Sequence, residues 1–159
     1  DHRDLHSFPT RRSSDLYMVS FLIHNTLGAW HAAKVLDADP QIAAKAESEE
    51  ELRRAVSLPG VNWEYLRFVR EDEKWRPAAG AFPGWPGQAA ALKVLDPCCG
   101  SGHFLVALLR HLTPLRMTEE SLGAREAVDA VLRDNLHGLE IDERCTQIAA
   151  FALDRKSVV

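Results

Sequence analysis

"LKVLDPCCGSGHFLVALL", Leu92 to Leu109, passes from a short apolar strand through an acid, a proline and a Gly-Ser-Gly turn directly into an apolar helical stripe. A strand that becomes a helix within a few residues leaves the first N–H groups of that helix without partners, pointing at the carboxyl edge of the sheet. Open α/β sheets bind ligands at that edge. Gly100 and Gly102 carry no Cβ that would hold a ligand away from these amides, and they have access to backbone angles barred to other residues. Asp96 closes the strand with a negative charge beside the donors. The junction therefore suits a ligand with both a carboxylate and an ammonium.

Two other glycine motifs fail here. A phosphate-binding P-loop needs Lys after its last glycine, and Gly102 is followed by His103. The dinucleotide fingerprint G-x-G-x-x-G/A finds Leu105 at its third position, where a helix close to a pyrophosphate needs a small residue.

Downstream, Leu105, Leu108, Leu109 and Leu112 share one helical face. "TPLRMTEE", from Thr113, is expected to interrupt that helix. A further helix from about Ser121 buries Ala124, Ala127, Val128 and Val131. "LHGLEI", Leu136 to Ile141, reads as a second strand, and Asp142 caps a last helix with Cys145, Ile148, Ala149 and Ala152 on one side. Strand, helix, helix, strand, helix is the opening of a parallel α/β sheet. Glu140 ends the second strand, where an acid can accept hydrogen bonds from two ribose hydroxyls. It lies about forty residues beyond Asp96 instead of the ~20 of a minimal unit, a difference the extra helix absorbs. Glu140 and Asp142 could instead simply cap the final helix, and for Asp142 the two readings stand level.

Upstream, Val19, Leu22, Ile23, Leu27, Trp30 and Ala33 predict an amphipathic helix from Tyr17 to about Leu36, with His24 and His31 on its polar face. A second helix is expected from Gln41 to Val56, its acidic middle a solvated face. "VNWEYLRFVRE" has no clear period. Trp75 to Gln88 holds three prolines and three glycines and reads as an ordered surface loop. Its aromatic residues could stack nucleobases, but Arg76 alone supplies positive charge there, which favours the plain connector.

The chain is 46% hydrophobic and 26% charged, the composition of a globular domain, and no run reaches the ~20 apolar residues of a membrane span. No basic patch stands out to hold a phosphate backbone. Cys98, Cys99 and Cys145 form neither a C-x-x-C pair nor an even framework, so a reducing, cytoplasmic setting is expected and no metal site. Adjacent cysteines have poor disulfide geometry. In the loop, Cys98 and Cys99 serve as backbone amides that need no sulfur chemistry.

The ends read differently. "RRSSDL" is what sequencing-adapter DNA, CGACGCTCTTCCGATCT, would encode, and the reverse complement of that DNA encodes the terminal "DRKSVV". Residues 1–16 and 154–159 are therefore expected to be adapter-derived, with 17–153 an internal piece of a longer gene. The net charge at pH 7 is −4; the first sixteen residues carry none and the last six +1, leaving −5 for that piece.

"VLDPCCGSGHFLVALL" resembles the S-adenosylmethionine loop of DNA adenine-N6 methyltransferases of the type IIG restriction-modification and BREX phage-defence group. "YMVSFLIHNTLGAW" is similar to the helical lead-in of that group, and "VLRDNLHGLEIDERCTQIAAFAL" to its second strand and helix. The resemblance implies a Rossmann-like S-adenosylmethionine-dependent sheet, truncated, over 92–153, preceded by a helical segment and Pro/Gly loop over 17–91. It implies that Asp96, Pro97, Cys98, Gly100, Ser101 and Gly102 hold the methionine part of S-adenosylmethionine. Glu140 would take the ribose, Ile141 would pack on the adenine, and Asp142 would lie close by. It also implies double-stranded DNA as substrate, bound largely through other regions, and other defence-system subunits as possible partners.

The family's Asn/Asp-Pro-Pro-Tyr/Phe loop accepts the amino group of the flipped adenine, and no Asn-Pro-Pro or Asp-Pro-Pro occurs in this sequence. No catalytic residue is therefore assigned, and the piece is expected to be inactive alone. Two other readings stand beside this one: a methyltransferase acting on RNA or protein, and a non-catalytic, incompletely folded piece.

Overall fold

The structure, a computed structural model, describes residues 11–72, 74–80 and 82–157. Its first helical run consists of α1 (Arg11–Ile23), a π-helical turn (His24–Gly28) and α2 (Ala29–Ala38). The π turn has a packing reason: a Cβ on Gly28 would lie 2.6 Å from Trp63 Cε3, so the helix and the indole meet only through a glycine. Asn25, in the same turn, donates to the carbonyls of Phe21 and Tyr65 and accepts from Arg67 N–H, tying the helix to the segment carrying Trp63.

That turn overturns the expected helical face. Leu22 is half exposed, whereas His24 and His31 are buried. Tyr65 N–H donates to His24 Nδ1 at 3.0 Å, which leaves the proton of the neutral ring on Nε2. His24 Nε2 lies 3.2 Å from His111 Nε2, and His111 Nδ1 lies 2.7 Å from Ala107 O. One arrangement of protons satisfies all three contacts, with both rings neutral. Burial lowers the His24 pKa to about 4, with His111 reinforcing the shift, and burial lowers that of His111 too.

The expected helix from Gln41 to Val56 is two helices, α3 (Pro40–Lys45) and α4 (Glu49–Ala55). Ser48 breaks them: its hydroxyl accepts from Glu51 N–H while Glu51 reaches back to Glu47 N–H, a reciprocal cap. Of the acidic run, Glu49 is not merely solvated. Its Oε2 takes Phe68 N–H at 3.1 Å and Arg53 Nη2 at 2.9 Å. The untyped stretch buries Trp63 and Leu66 and then forms β1 (Phe68–Glu71), paired antiparallel with β2 (Lys74–Pro77). The Pro/Gly segment thus starts as a strand. Beyond it, Trp30 Nε1 donates to Pro86 O, consistent with an ordered connector.

The second half is β3 (Val94–Asp96), α5 (His103–Glu120), α6 (Ala124–Asp134), β4 (Leu136–Gly138) and α7 (Glu143–Ser157). β3 and β4 pair in parallel, with Val94 opposite Leu136 and Asp96 opposite Gly138. The interruption expected at Thr113–Glu120 does not occur, and α5 continues through Pro114. A proline removes one N–H and crowds one carbonyl. Against that, the second half of α5 buries Leu115 and Arg116. Arg116 donates to Glu120 at 2.5 and 2.8 Å, to Asp134 at 3.1 Å and to Asn135 at 3.3 Å, locking α5 to α6. The helix ends at Ser121, whose φ is +55°.

A single apolar core joins both halves, from Ile23, Leu27 and Trp30 through Trp63 to Leu108 and Leu112. Among the described residues the architecture is mixed α/β with two small sheets. Among the described residues no helix is long and apolar enough to cross a membrane.

Candidate functional site

The turn from β3 to α5 is shaped by the two glycines. Gly100 has φ +51° and Gly102, at the N-cap of α5, has φ +81°. No side chain caps the amides that open α5. Gly102 also has a packing role: a Cβ there would lie 2.9 Å from Ala149 Cβ of α7. Gly138, at the end of β4, is matched to the same loop, since its Cβ would meet Leu105 Cδ1 at 2.9 Å and Cys99 Sγ at 3.1 Å. Sequence reasoning gave Gly138 no role and placed Ala149 only on one side of the last helix. Their signal is only small size at positions where β4 and α7 approach the loop.

β4 is shorter than expected, and Leu139 to Ile141 continue it without strand pairing. The continuation still holds the loop. Leu139 N–H donates to Asp96 O at 2.9 Å, and Cys99 N–H donates to Leu139 O at 3.0 Å. Glu140 then crosses to the loop: its Oε2 accepts from Gly100 N–H at 2.8 Å. Its Oε1 accepts from Ile141 N–H at 2.8 Å and Asp142 N–H at 3.0 Å. The amides of Asp142, Gly100 and Ile141 hold its carboxyl below the ordinary carboxylate range.

The structure therefore brings the Asp96 loop and the Glu140 segment into direct contact. Asp96 Oδ1 takes Cys98 N–H at 3.2 Å, a local turn bond. Pro97 and Cys98 are exposed beside it. Ser101 Oγ and His103 Nδ1 are 2.8 Å apart at the mouth of the helix. Ile141 is fully exposed at the rim. Asp142 faces the other way: its carboxylate accepts from Arg144 N–H at 3.0 Å and from the Arg144 guanidinium, capping α7. Burial, then the charges of Asp96 and Glu140, push the Cys99 thiol pKa up, which disfavours a reactive thiolate.

A separate cavity of about 330 Å³, mostly apolar, lies on the flank of β3, lined by Thr26, Leu27, Trp85, Pro86, Val94 and Phe104 among others. None of the loop residues from Asp96 to Gly102 lines it.

Residues 86–155 match the family described as MmeI, DNA-methyltransferase domain. Over most of its length the chain is similar to proteins named adenine-specific methyltransferases. The adenine-specific methyltransferase BrxX of Escherichia coli O9:H4 (strain HS) is 38% identical over 138 residues, 86% of this chain and 10% of that protein. The adenine-specific methyltransferase PglX of Lacticaseibacillus casei (strain Zhang) is 26% identical over 140 residues, 88% of this chain and 10% of that protein. A putative type II restriction enzyme and methyltransferase of Methanocaldococcus jannaschii is 24% identical over 113 residues, 67% of this chain and 10% of that protein. The matched span includes the Asp96–Gly102 loop and the Glu140 segment. The chain spans about a tenth of the length of the curated relatives it matches.

Proposed function

We propose that residues 92–153 are the first part of a Rossmann-like S-adenosylmethionine-binding domain, and 17–91 its helical lead-in, within a site-specific DNA adenine-N6 methyltransferase of restriction-modification or phage defence. The observation that carries this reading is the meeting of the two strand ends, with Glu140 Oε2 2.8 Å from Gly100 N. The parallel register of β3 and β4 and the match over residues 86–155 support it.

The residues fit the cofactor's chemistry. Its carboxylate suits the uncapped amides that open α5, and its ammonium suits Asp96. Pro97, Cys98, Gly100, Ser101 and Gly102 shape the seat. Glu140 stands where a ribose hydroxyl would donate, and the exposed side chain of Ile141 offers an apolar surface to the adenine. Asp142 contributes through α7, which it caps. When bound, S-adenosylmethionine supplies an electrophilic methyl group.

The adenine-holding Asn/Asp-Pro-Pro loop is absent from these 159 residues, so in this reading the chain binds cofactor and transfers nothing by itself. Duplex DNA and other defence-system subunits are partners of the whole enzyme. Leu95, Leu139, Ile148 and Phe151 are exposed, which supports further chain covering this sheet and helix in the parent. Calorimetry with S-adenosylmethionine and with NAD tests the reading: binding of the first is expected, and binding of NAD alone would overturn it.

A further inference from the structure

The loop that carries the cofactor reading is held in an uneven way. At Gly102 packing fixes it, because the chain lies against Ala149. At Gly100 nothing lies within 4 Å of where a Cβ would stand, and the flanking Pro97 and Cys98 are exposed. Gly100 nevertheless adopts φ +51°, which a flexible glycine keeps only if something outside the loop pins it. Two consecutive amides do so, Cys99 N–H on Leu139 O and Gly100 N–H on Glu140 Oε2. The second is the one a side chain supplies.

The carboxylate is itself immobilised. Its other oxygen is closed by Ile141 N–H and Asp142 N–H, so the acid is a fixed strut and not a swinging arm. A carboxylate has about four acceptor positions; three are taken, which leaves room for about one hydroxyl.

We propose that Glu140 is a positioning residue for the glycine loop, setting the amides that receive the amino-acid end of the ligand, in addition to meeting the ribose. This rests on the cofactor reading above. It predicts that the two ends of the ligand are coupled through Gly100, so that losing Glu140 weakens even a ligand that has no hydroxyl to offer it.

The test uses the full chain and its Glu140→Gln variant, with S-adenosylhomocysteine and its 2′,3′-dideoxy analogue titrated by calorimetry at neutral pH. Gln keeps the shape but presents one acceptor oxygen where two are used. Glu140→Gln is expected to weaken the dideoxy analogue by about tenfold, the equivalent of one hydrogen bond to a charged group, and S-adenosylhomocysteine by at least as much. Weakening of S-adenosylhomocysteine with the dideoxy analogue unchanged would reduce Glu140 to a ribose acceptor and overturn the proposal. Failure of the unsubstituted chain to bind either ligand would instead remove the cofactor reading and this inference with it. Amide exchange at Gly100 in the ligand-free chain checks the strut separately: exchange should quicken in Glu140→Gln, and equal exchange in both proteins overturns the strut. If Glu140→Gln lacks a cooperative unfolding transition, Glu140→Asp, which draws the carboxylate back by one methylene, is read by the same criteria.

Discussion

Acidification from pH 7 to pH 5 should destabilise this chain through its buried histidines, before its carboxylates respond. His24 ionises near 6.5 in the unfolded chain and near 4 in the folded one. Between those values the unfolded state binds the extra proton, so stability falls as pH drops through 6.5 and levels off below about 4. For His24 alone the loss between pH 7 and pH 5 comes to about 2 kcal/mol. His111 and His31 are shifted the same way by burial and add to it.

The structural reason is the proton arrangement. A second proton on His24 would face Tyr65 N–H, and one on His111 would face His24 Nε2–H. The groups packed around the pair, Trp63, Tyr65 and the nearby cation Arg110, offer no anion to accept it. Glu120, Asp134, Glu140 and Asp142 are all held below their ordinary values, so their contribution is lost only at lower pH. Urea unfolding followed by tryptophan fluorescence at pH 7, 6 and 5 measures the slope. His24→Asn keeps an acceptor for Tyr65 N–H without an ionisable ring and should flatten it. Stability constant to within about 0.5 kcal/mol over this range, or an unchanged slope in His24→Asn, would refute the reasoning.

Other substitutions probe the packing. Gly28→Ala forces a methyl to within 2.6 Å of Trp63; the overpacking outweighs alanine's better helix propensity and should cost about 1–2 kcal/mol in the same unfolding assay. Gly102→Ala meets both a positive φ and Ala149, an expected loss of about 2 kcal/mol, and S-adenosylhomocysteine binding should weaken with it. Arg116→Met removes the donor to Glu120 and to Asn135 Oδ1, while Asp134 keeps Arg133, and should lower stability by about 2 kcal/mol. Cys98→Ser, at an exposed backbone-donor position, should stay within ~0.5 kcal/mol of the parent chain and leave ligand binding unchanged.

What the sequence disclosed follows from how local each signal is. Gly100 and Gly102 mark the β3–α5 turn because a positive φ is written in the residue itself. The parallel pairing of β3 with β4 followed from element order, and Leu105, Leu108, Leu109 and Leu112 were recognisable as one buried face. Pro114 misled because a proline's penalty is local while its compensation, the Arg116 network reaching Asp134, is not. His24 and His31 misled because a helical wheel assumes 3.6 residues per turn throughout. The β1–β2 hairpin went unread since only Phe68 and Pro77, its two ends, are buried, which leaves no alternation to detect. At the candidate site, the acid at Glu140 was visible, but its bond to Gly100 spans forty residues of chain and depends on a loop conformation no pattern encodes.

The π turn at His24–Gly28 holds one residue more than regular coiling requires, and each residue rotates a helix by about 100°. Removing one residue there would let the rod close into ordinary coiling and swing everything before it around the axis, bringing a different side chain opposite Tyr65. The joint would therefore set the phase between the leading segment and the indole anchor, so that losing a single codon there should re-aim the helix that precedes it.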